Sequence, residues 1–158
     1  MFSRIDAFLT IGTANEAYYE LYGGKRELFF RSSYMVDVDR FATAAAKERE
    51  QGKPLKAQLG IKEQKVILFT GRFVWEKDIG TVLRAFALAL PVLSNTALVF
   101  AGDGPKRPIV EKAAQQAASH VYFIGFRQPE ELGAIYGMAD ALVLASVRDA
   151  WGLVINEA

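Results

Sequence analysis

The sequence contains no cysteine and a single histidine, His120. Disulfides and thiol nucleophiles are thereby excluded, together with nearly all zinc and haem ligand sets, which draw on Cys and His. An excess of one charge is missing as well. Lys and Arg number 19 against 18 Asp and Glu, which creates no global field for nucleic acid or an anionic membrane, so any anion site must be local. Long hydrophobic runs are lacking: the longest, TVLRAFALALPVL, is interrupted by Arg84 and Pro91, and no segment reads as a bilayer span. The leading MFSRIDAFLTIG has neither the basic region nor the small-residue cleavage site of a secretion signal. The expectation is a cytoplasmic chain without a nucleic-acid partner, with peripheral contact at the inner face of the membrane left open for the full-length protein. Metal chemistry, if any, would rest on carboxylates.

What is present is 158 residues, 51% of them apolar, enough for one domain with a real core. AFLTIG, Ala7 to Gly12, has the length of a short strand, Asn15 to Tyr22 reads as a helix stopped by Gly23 and Gly24, and LFFRSSYM reads as a second strand. From Ala42 to Lys56 the composition turns to Ala, Lys, Glu and Gln and ends in QGKP, a polar helical connector at a boundary.

Beyond it the order becomes regular: KVILFTG, helix, ALVFAG, helix, VYFIG, helix, DALVLAS, loop, helix start. The four apolar runs are short and unalternating, as strands buried on both faces should be. Ile79, Val82, Leu83, Phe86, Ala87 and Leu90 form one helical stripe, opened by a cap at Asp78 and closed by Pro91. The second helix is expected from about Lys106 to Ala118, and the third opens at Pro129. Strands alternating with helices predict an α/β fold, a Rossmann-like parallel sheet flanked by helices. Ligands of such sheets bind beyond the carboxyl ends of the strands.

Those ends carry the informative residues. After the first run comes GRFVWEKD, with Arg72 and Lys77 near a helix N-terminus. A cation there opposes the macrodipole by about 0.3 to 1 kcal/mol, and a bound phosphate would reverse that penalty. After the second comes GDGP, where Gly102 brings backbone close to the space above the sheet. Because it is not GxGxxG, a nicotinamide or flavin dinucleotide site has little support. After the third comes GFRQP, where Phe126 could face a flat base. After the fourth comes RDAWGLVINEA, Arg148 to Ala158. Gly152, Leu153 and Val154 would open a helix with free amides. Glu157 would lie one turn beyond Leu153, roughly 6 Å along the axis, and Asp149 on the preceding loop. Each feature alone has a plainer explanation: Glu76 and Asp78 neutralising Lys77, a simple turn, acids favoured by a helix dipole. Their convergence on one sheet edge favours a ligand site.

Together, GRFVWEKDIGTVLRAFA, LVFAGDGP, VYFIGFRQPEELGAIYGMADALVLAS and RDAWGLVINEA resemble the C-terminal half of a retaining, nucleotide-sugar-dependent glycosyltransferase of family 4, also called glycosyl transferase group 1, with the GT-B fold. The resemblance is close over Lys65 to Ala158. It implies a tail of the N-terminal acceptor-side domain over residues 1–42, a connector over 43–60, and a truncated C-terminal nucleotide-sugar-binding domain over 61–158. It implies that Arg72 and Lys77 bind the donor pyrophosphate. The paired-acid motif falls on Asp149, toward the donor sugar, and Glu157, toward the ribose hydroxyls, with Asp at the first position one methylene shorter than the family's Glu. Gly102, the backbone around Phe126, and the amides of Gly152, Leu153 and Val154 complete the donor contacts, with Arg72, Lys77 and Asp149 assigned to catalysis. No cofactor and no metal are implied beyond a UDP-sugar or GDP-sugar donor.

The parent protein is thus expected to be a hexosyltransferase acting, in glycan or polysaccharide biosynthesis, on a glycan, lipid or small-molecule acceptor bound by the missing N-terminal domain. The chain itself reads as a fragment, inactive alone. Two alternatives stand beside this: a non-catalytic nucleotide-binding module, or half of a two-chain enzyme, and a nucleotide-sugar epimerase. His120 is expected at the surface.

Overall fold

The computed structural model describes residues 2, 4–93, 95–117 and 119–158. They form two compact units, Met1–Val36 and Asp37–Ala158.

In the smaller unit, β1 (Phe8–Thr10) leads into helix α1 (Thr13–Leu21), and a 3-10 turn at Arg26–Leu28 leads into β2 (Phe29–Arg31). The strands pair in parallel with Phe8 opposite Phe29. Phe8 packs its ring against Tyr19 at 5.0 Å and Phe29 at 5.3 Å between centroids. Glu16 ties the two ends together, accepting from the Thr10 hydroxyl at 2.9 Å and from Arg31 Nη2 through both oxygens at 2.9 Å.

The larger unit opens with α2 (Val38–Glu50), capped by Asp37, whose carboxylate accepts from the Arg40 amide, and α3 (Pro54–Gln58), which starts on Pro at its first turn. The stretch expected as a polar helical connector is largely helix. Its composition looks solvated because only a narrow stripe, Phe41, Ala45 and Glu48, turns inward.

The regular part follows in the expected order: β3 (Lys65–Thr70), a 3-10 turn at Trp75–Lys77, α4 (Ile79–Ala89), β4 (Thr96–Ala101), α5 (Arg107–Ala117), β5 (Val121–Gly125), α6 (Pro129–Met138), β6 (Ala141–Leu142) and α7 (Val154–Glu157). Ala118, the expected last residue of the second helix of this series, lies outside the described residues. The strands form one parallel sheet in the order β5-β4-β3-β6. β6 is shorter than DALVLAS suggested. The amides of Asp140 and Val143 donate to the Val66 and Leu68 carbonyls at 2.9 and 2.8 Å, after which the chain leaves the ladder.

One face of the sheet carries Phe69, Leu98 and Phe100, which pack with Ile79, Val82, Leu83 and Phe86 of α4 and Val110 and Ala114 of α5. The aromatic rings interlock: Phe100 lies 5.6 Å from Phe69 and stacks on Phe123 at 5.1 Å. Strand alternation sends Val66, Leu68 and Thr70 to the other face, where α6 lies. α6 in turn receives α2, and Gly137 makes that approach possible: a Cβ there would stand 2.7 Å from the Ala45 carbonyl oxygen.

At the amino end of the sheet, His120 is half exposed yet paired. Its Nδ1 lies 2.5 Å from Glu63 Oε1, and the Tyr122 hydroxyl donates to Glu63 Oε2 at 2.9 Å. Burial alone would push the Glu63 carboxyl up, but its backbone hydrogen bond and the bonds from His120 and Tyr122 outweigh that and leave it below the usual carboxylate range. A folded-state pKa below the unfolded one adds stability above the unfolded value, about pH 4 to 5 for Glu, and loses it as pH falls through the folded value. Glu63→Gln should therefore show a smaller drop in melting temperature between pH 7 and about pH 3 than the parent chain. An equal drop in both would remove Glu63 from the acid response.

Candidate active site

The carboxyl ends of β3, β4 and β5 continue into loops stitched by backbone hydrogen bonds. The Gly71 amide donates to the Ala101 carbonyl at 3.0 Å, Gly102 to Gly125 at 2.8 Å, and Phe73 to Asp103 at 2.9 Å. Gly102 is required by contact: with φ +146°, a Cβ would lie 1.9 Å from the Gly71 carbonyl oxygen. Its amide is spent on Gly125, so its part in the site is to let two strand exits touch, rather than to offer an N–H to a ligand.

The loop after β3 carries both expected cations. Arg72 is exposed, and among the described residues no carboxylate pairs with it. Lys77 closes the 3-10 turn just before α4. Of its two acidic neighbours in sequence, neither neutralises it. Asp78 turns to the helix, accepting from the Thr81 amide at 3.3 Å and the Thr81 hydroxyl at 2.6 Å, and those bonds hold its carboxyl below the usual range. Glu76 contributes its main-chain carbonyl, which accepts from the Val147 amide at 2.9 Å and the Arg148 amide at 3.4 Å. That contact draws the loop after β6 against the loop after β3.

As a result Lys77 Nζ donates to Asp149 Oδ2 across 72 positions of sequence. The two side chains are 21% and 24% exposed, so the pair keeps part of its contact with water. The Lys77 ammonium, helped by backbone bonds from Gly152 and Trp151, holds the Asp149 carboxyl below the usual carboxylate range against the opposing push of partial burial. One point departs from expectation. The Gly152 amide is not free, because it donates to Asp149 Oδ1 at 3.0 Å, and the helix begins at Val154 rather than at Gly152. Asp149 thus caps the approach to the turn at the same time as it meets the lysine. The amides of Leu153 and Val154 follow at the opening of that turn.

Glu157 sits at the end of α7, half-buried, and its Oε2 accepts from the Tyr136 hydroxyl at 2.7 Å. The contact of the Tyr136 hydroxyl with Glu157 has no sequence signal, since the two are joined only through the fold. Phe126, following Gly125 at the end of β5, is 66% exposed. The structure therefore brings Lys77, Asp149, Gly152 and the β3 and β6 loops together, sets Glu157 against α6, and gathers Arg72, Gly102 and Phe126 on the loops leaving β3, β4 and β5.

Three comparisons bear on this arrangement. Residues 52–158 match the family described as Glycosyl transferases group 1. The chain is 32% identical over 112 residues to the alpha-monoglucosyldiacylglycerol synthase of Acholeplasma laidlawii, covering 69% of this chain and 28% of that protein. It is 34% identical over 125 residues to the enzyme of the same name from Streptococcus pneumoniae, covering 77% of this chain and 28% of the relative. The chain thus spans little more than a quarter of the length of these relatives. Among solved structures, HepE from Anabaena, crystallised in complex with UDP, superposes with a TM-score of 0.73 at 21% identity, over 97% of this chain and 42% of that one. That likeness gives the fold, GT-B.

Proposed function

The chain belongs to the group 1 glycosyl transferases, and from that premise we propose that its protein is a retaining hexosyltransferase of family 4 that moves a sugar from a UDP- or GDP-activated donor to an acceptor. The observation that carries this reading is the Lys77–Asp149 pair held at the carboxyl edge of the sheet beside the turn that bears Glu157. Complexes of a neighbour with UDP, and with UDP and glucose, support the nucleotide-sugar class of donor.

In this reading the bond between the anomeric carbon and the diphosphate oxygen breaks, and its electron pair leaves on that oxygen. Arg72 and Lys77 bring positive charge to where the negative charge develops, the electrostatic need of the step. The acceptor hydroxyl oxygen forms the new bond on the face the diphosphate leaves, and its proton passes to the departing diphosphate. Asp149 orients the lysine and faces the donor sugar. The amides of Leu153 and Val154 meet a phosphate, Glu157 takes the ribose hydroxyls, and the backbone beside Phe126 meets the base. Neutralisation by two cations asks for no metal.

The test is product analysis of the full-length protein with UDP-glucose and GDP-mannose against a panel of diacylglycerol lipids, oligosaccharides and small polyols. An α-linked product from an α-configured donor, seen by NMR and dependent on acceptor, is expected. A β-linked product would contradict retention, and a changed donor sugar without acceptor would make the protein an epimerase.

A further inference from the structure

The roles above leave the buried hydroxyl of Tyr136 unused. The residue is 4% exposed. Its ring is packed edge-on against Phe41 of α2 at 5.8 Å between centroids, and its hydroxyl donates to Glu157 Oε2 at 2.7 Å, with the Thr70 side chain, at the last residue of β3, nearby. A tyrosine serving only as apolar filling would do as well as phenylalanine. This one aims its polar end at the carboxylate that α7 presents.

From this contact we infer that Tyr136 is a positioning residue of the donor site, fixing the Glu157 carboxylate so that its second oxygen faces the ribose hydroxyls of the nucleotide. The helix that carries Glu157 is four residues long, too short to hold a side chain in one orientation through its own hydrogen bonds. α6, by contrast, is anchored between α2 and the sheet. A carboxylate has two oxygens with about four acceptor positions between them. The tyrosine takes one position on Oε2, and Oε1 is assigned to a ligand hydroxyl. Burial, followed by the hydrogen bond to Glu157 and then its charge, pushes the phenol far above its ordinary pKa, so the hydroxyl is a donor at neutral pH. The contact also joins the end of β3, where Arg72 and Lys77 begin, to the last turn of the site. Phosphate and ribose contacts thereby share one rigid support.

The inference rests on the nucleoside-diphosphate reading of Glu157, and the experiment separates the two. Binding of UDP, GDP and their 2′-deoxy counterparts to this chain is measured by calorimetry for the parent, Glu157→Ala and Tyr136→Phe. Phe preserves the ring and its packing, and a cooperative unfolding transition together with unchanged affinity for the 2′-deoxy nucleotide verifies an intact site. The parent is expected to prefer the ribonucleotide at least about tenfold, a discrimination of the size a well-made hydrogen bond gives. Glu157→Ala is expected to abolish the preference, and Tyr136→Phe to reduce it at least threefold. A preference that survives in Tyr136→Phe but vanishes in Glu157→Ala overturns the positioning role while keeping the ribose contact. A parent without preference, or without nucleotide binding, overturns the ribose reading and the inference with it.

Discussion

Lys77→Ala in the full-length protein is expected to lower turnover by more than tenfold while costing little stability. The two effects separate by magnitude. The Lys77–Asp149 pair is partly screened by water, and pairs of that kind contribute about 0 to 1 kcal/mol to folding. A preorganised charge at a leaving group counts for more: losing one such electrostatic contact costs about 2.7 to 4 kcal/mol of barrier, and each 1.4 kcal/mol or so is tenfold in rate. Lys77 is preorganised by two devices, the 3-10 turn that ends on it and the Asp149 carboxylate that holds its ammonium. Steady-state kinetics at saturating donor, set beside a denaturation curve, check both halves. A rate within twofold of the parent would remove Lys77 from the chemistry.

Gly102→Ala destabilises the chain by about 3 kcal/mol or more. The added methyl meets the Gly71 carbonyl oxygen at 1.9 Å and its carbon at 2.9 Å. Both atoms are main chain, so no side chain can swing aside. Overpacking typically costs about 1 to 3 kcal/mol, and a non-glycine residue forced into this backbone region about 1 to 3 kcal/mol more. Relief would require the strand exits of β3 and β4 to part, which displaces the loop bearing Arg72 and Lys77. Nucleotide binding should fall together with stability, as read by urea denaturation and calorimetry. A variant of parental stability would mean that the loops do not touch as described.

Much of the larger unit was legible in the sequence because its signals are local. The runs VILFT, ALVFA and VYFI are strands because they are apolar on both faces, and the Asp78 cap and 3.6-residue stripe of α4 fall where expected. α2 was less legible. Its Ala, Lys and Glu suit a solvated helix, and what buries Phe41 and Ala45 is the small-residue surface of α6, far along the chain. The site divided in the same way. Which residues stand on the loops after the strands follows from topology, so the placement of Arg72, Lys77 and Asp149 could be read from sequence. Their pairings could not. The choice of Asp149 over Glu76 and Asp78 as the partner of Lys77 is made by a helix cap on one side and by two amides converging on the Glu76 carbonyl on the other. The Asp149 bond to Gly152 and the Tyr136 bond to Glu157 likewise depend on where loops arrive.

The most direct test of the donor site is titration of this chain with UDP, GDP, ADP and NAD, followed by calorimetry and thermal unfolding, with Glu157→Ala alongside. A ligand at about 100 times its dissociation constant stabilises the folded state by about 2.7 kcal/mol, a readily measured shift. Stabilisation by UDP or GDP, absent with NAD and lost in Glu157→Ala, is the predicted result. A cooperative transition unmoved by every nucleotide, or a shift that Glu157→Ala leaves intact, would contradict the account.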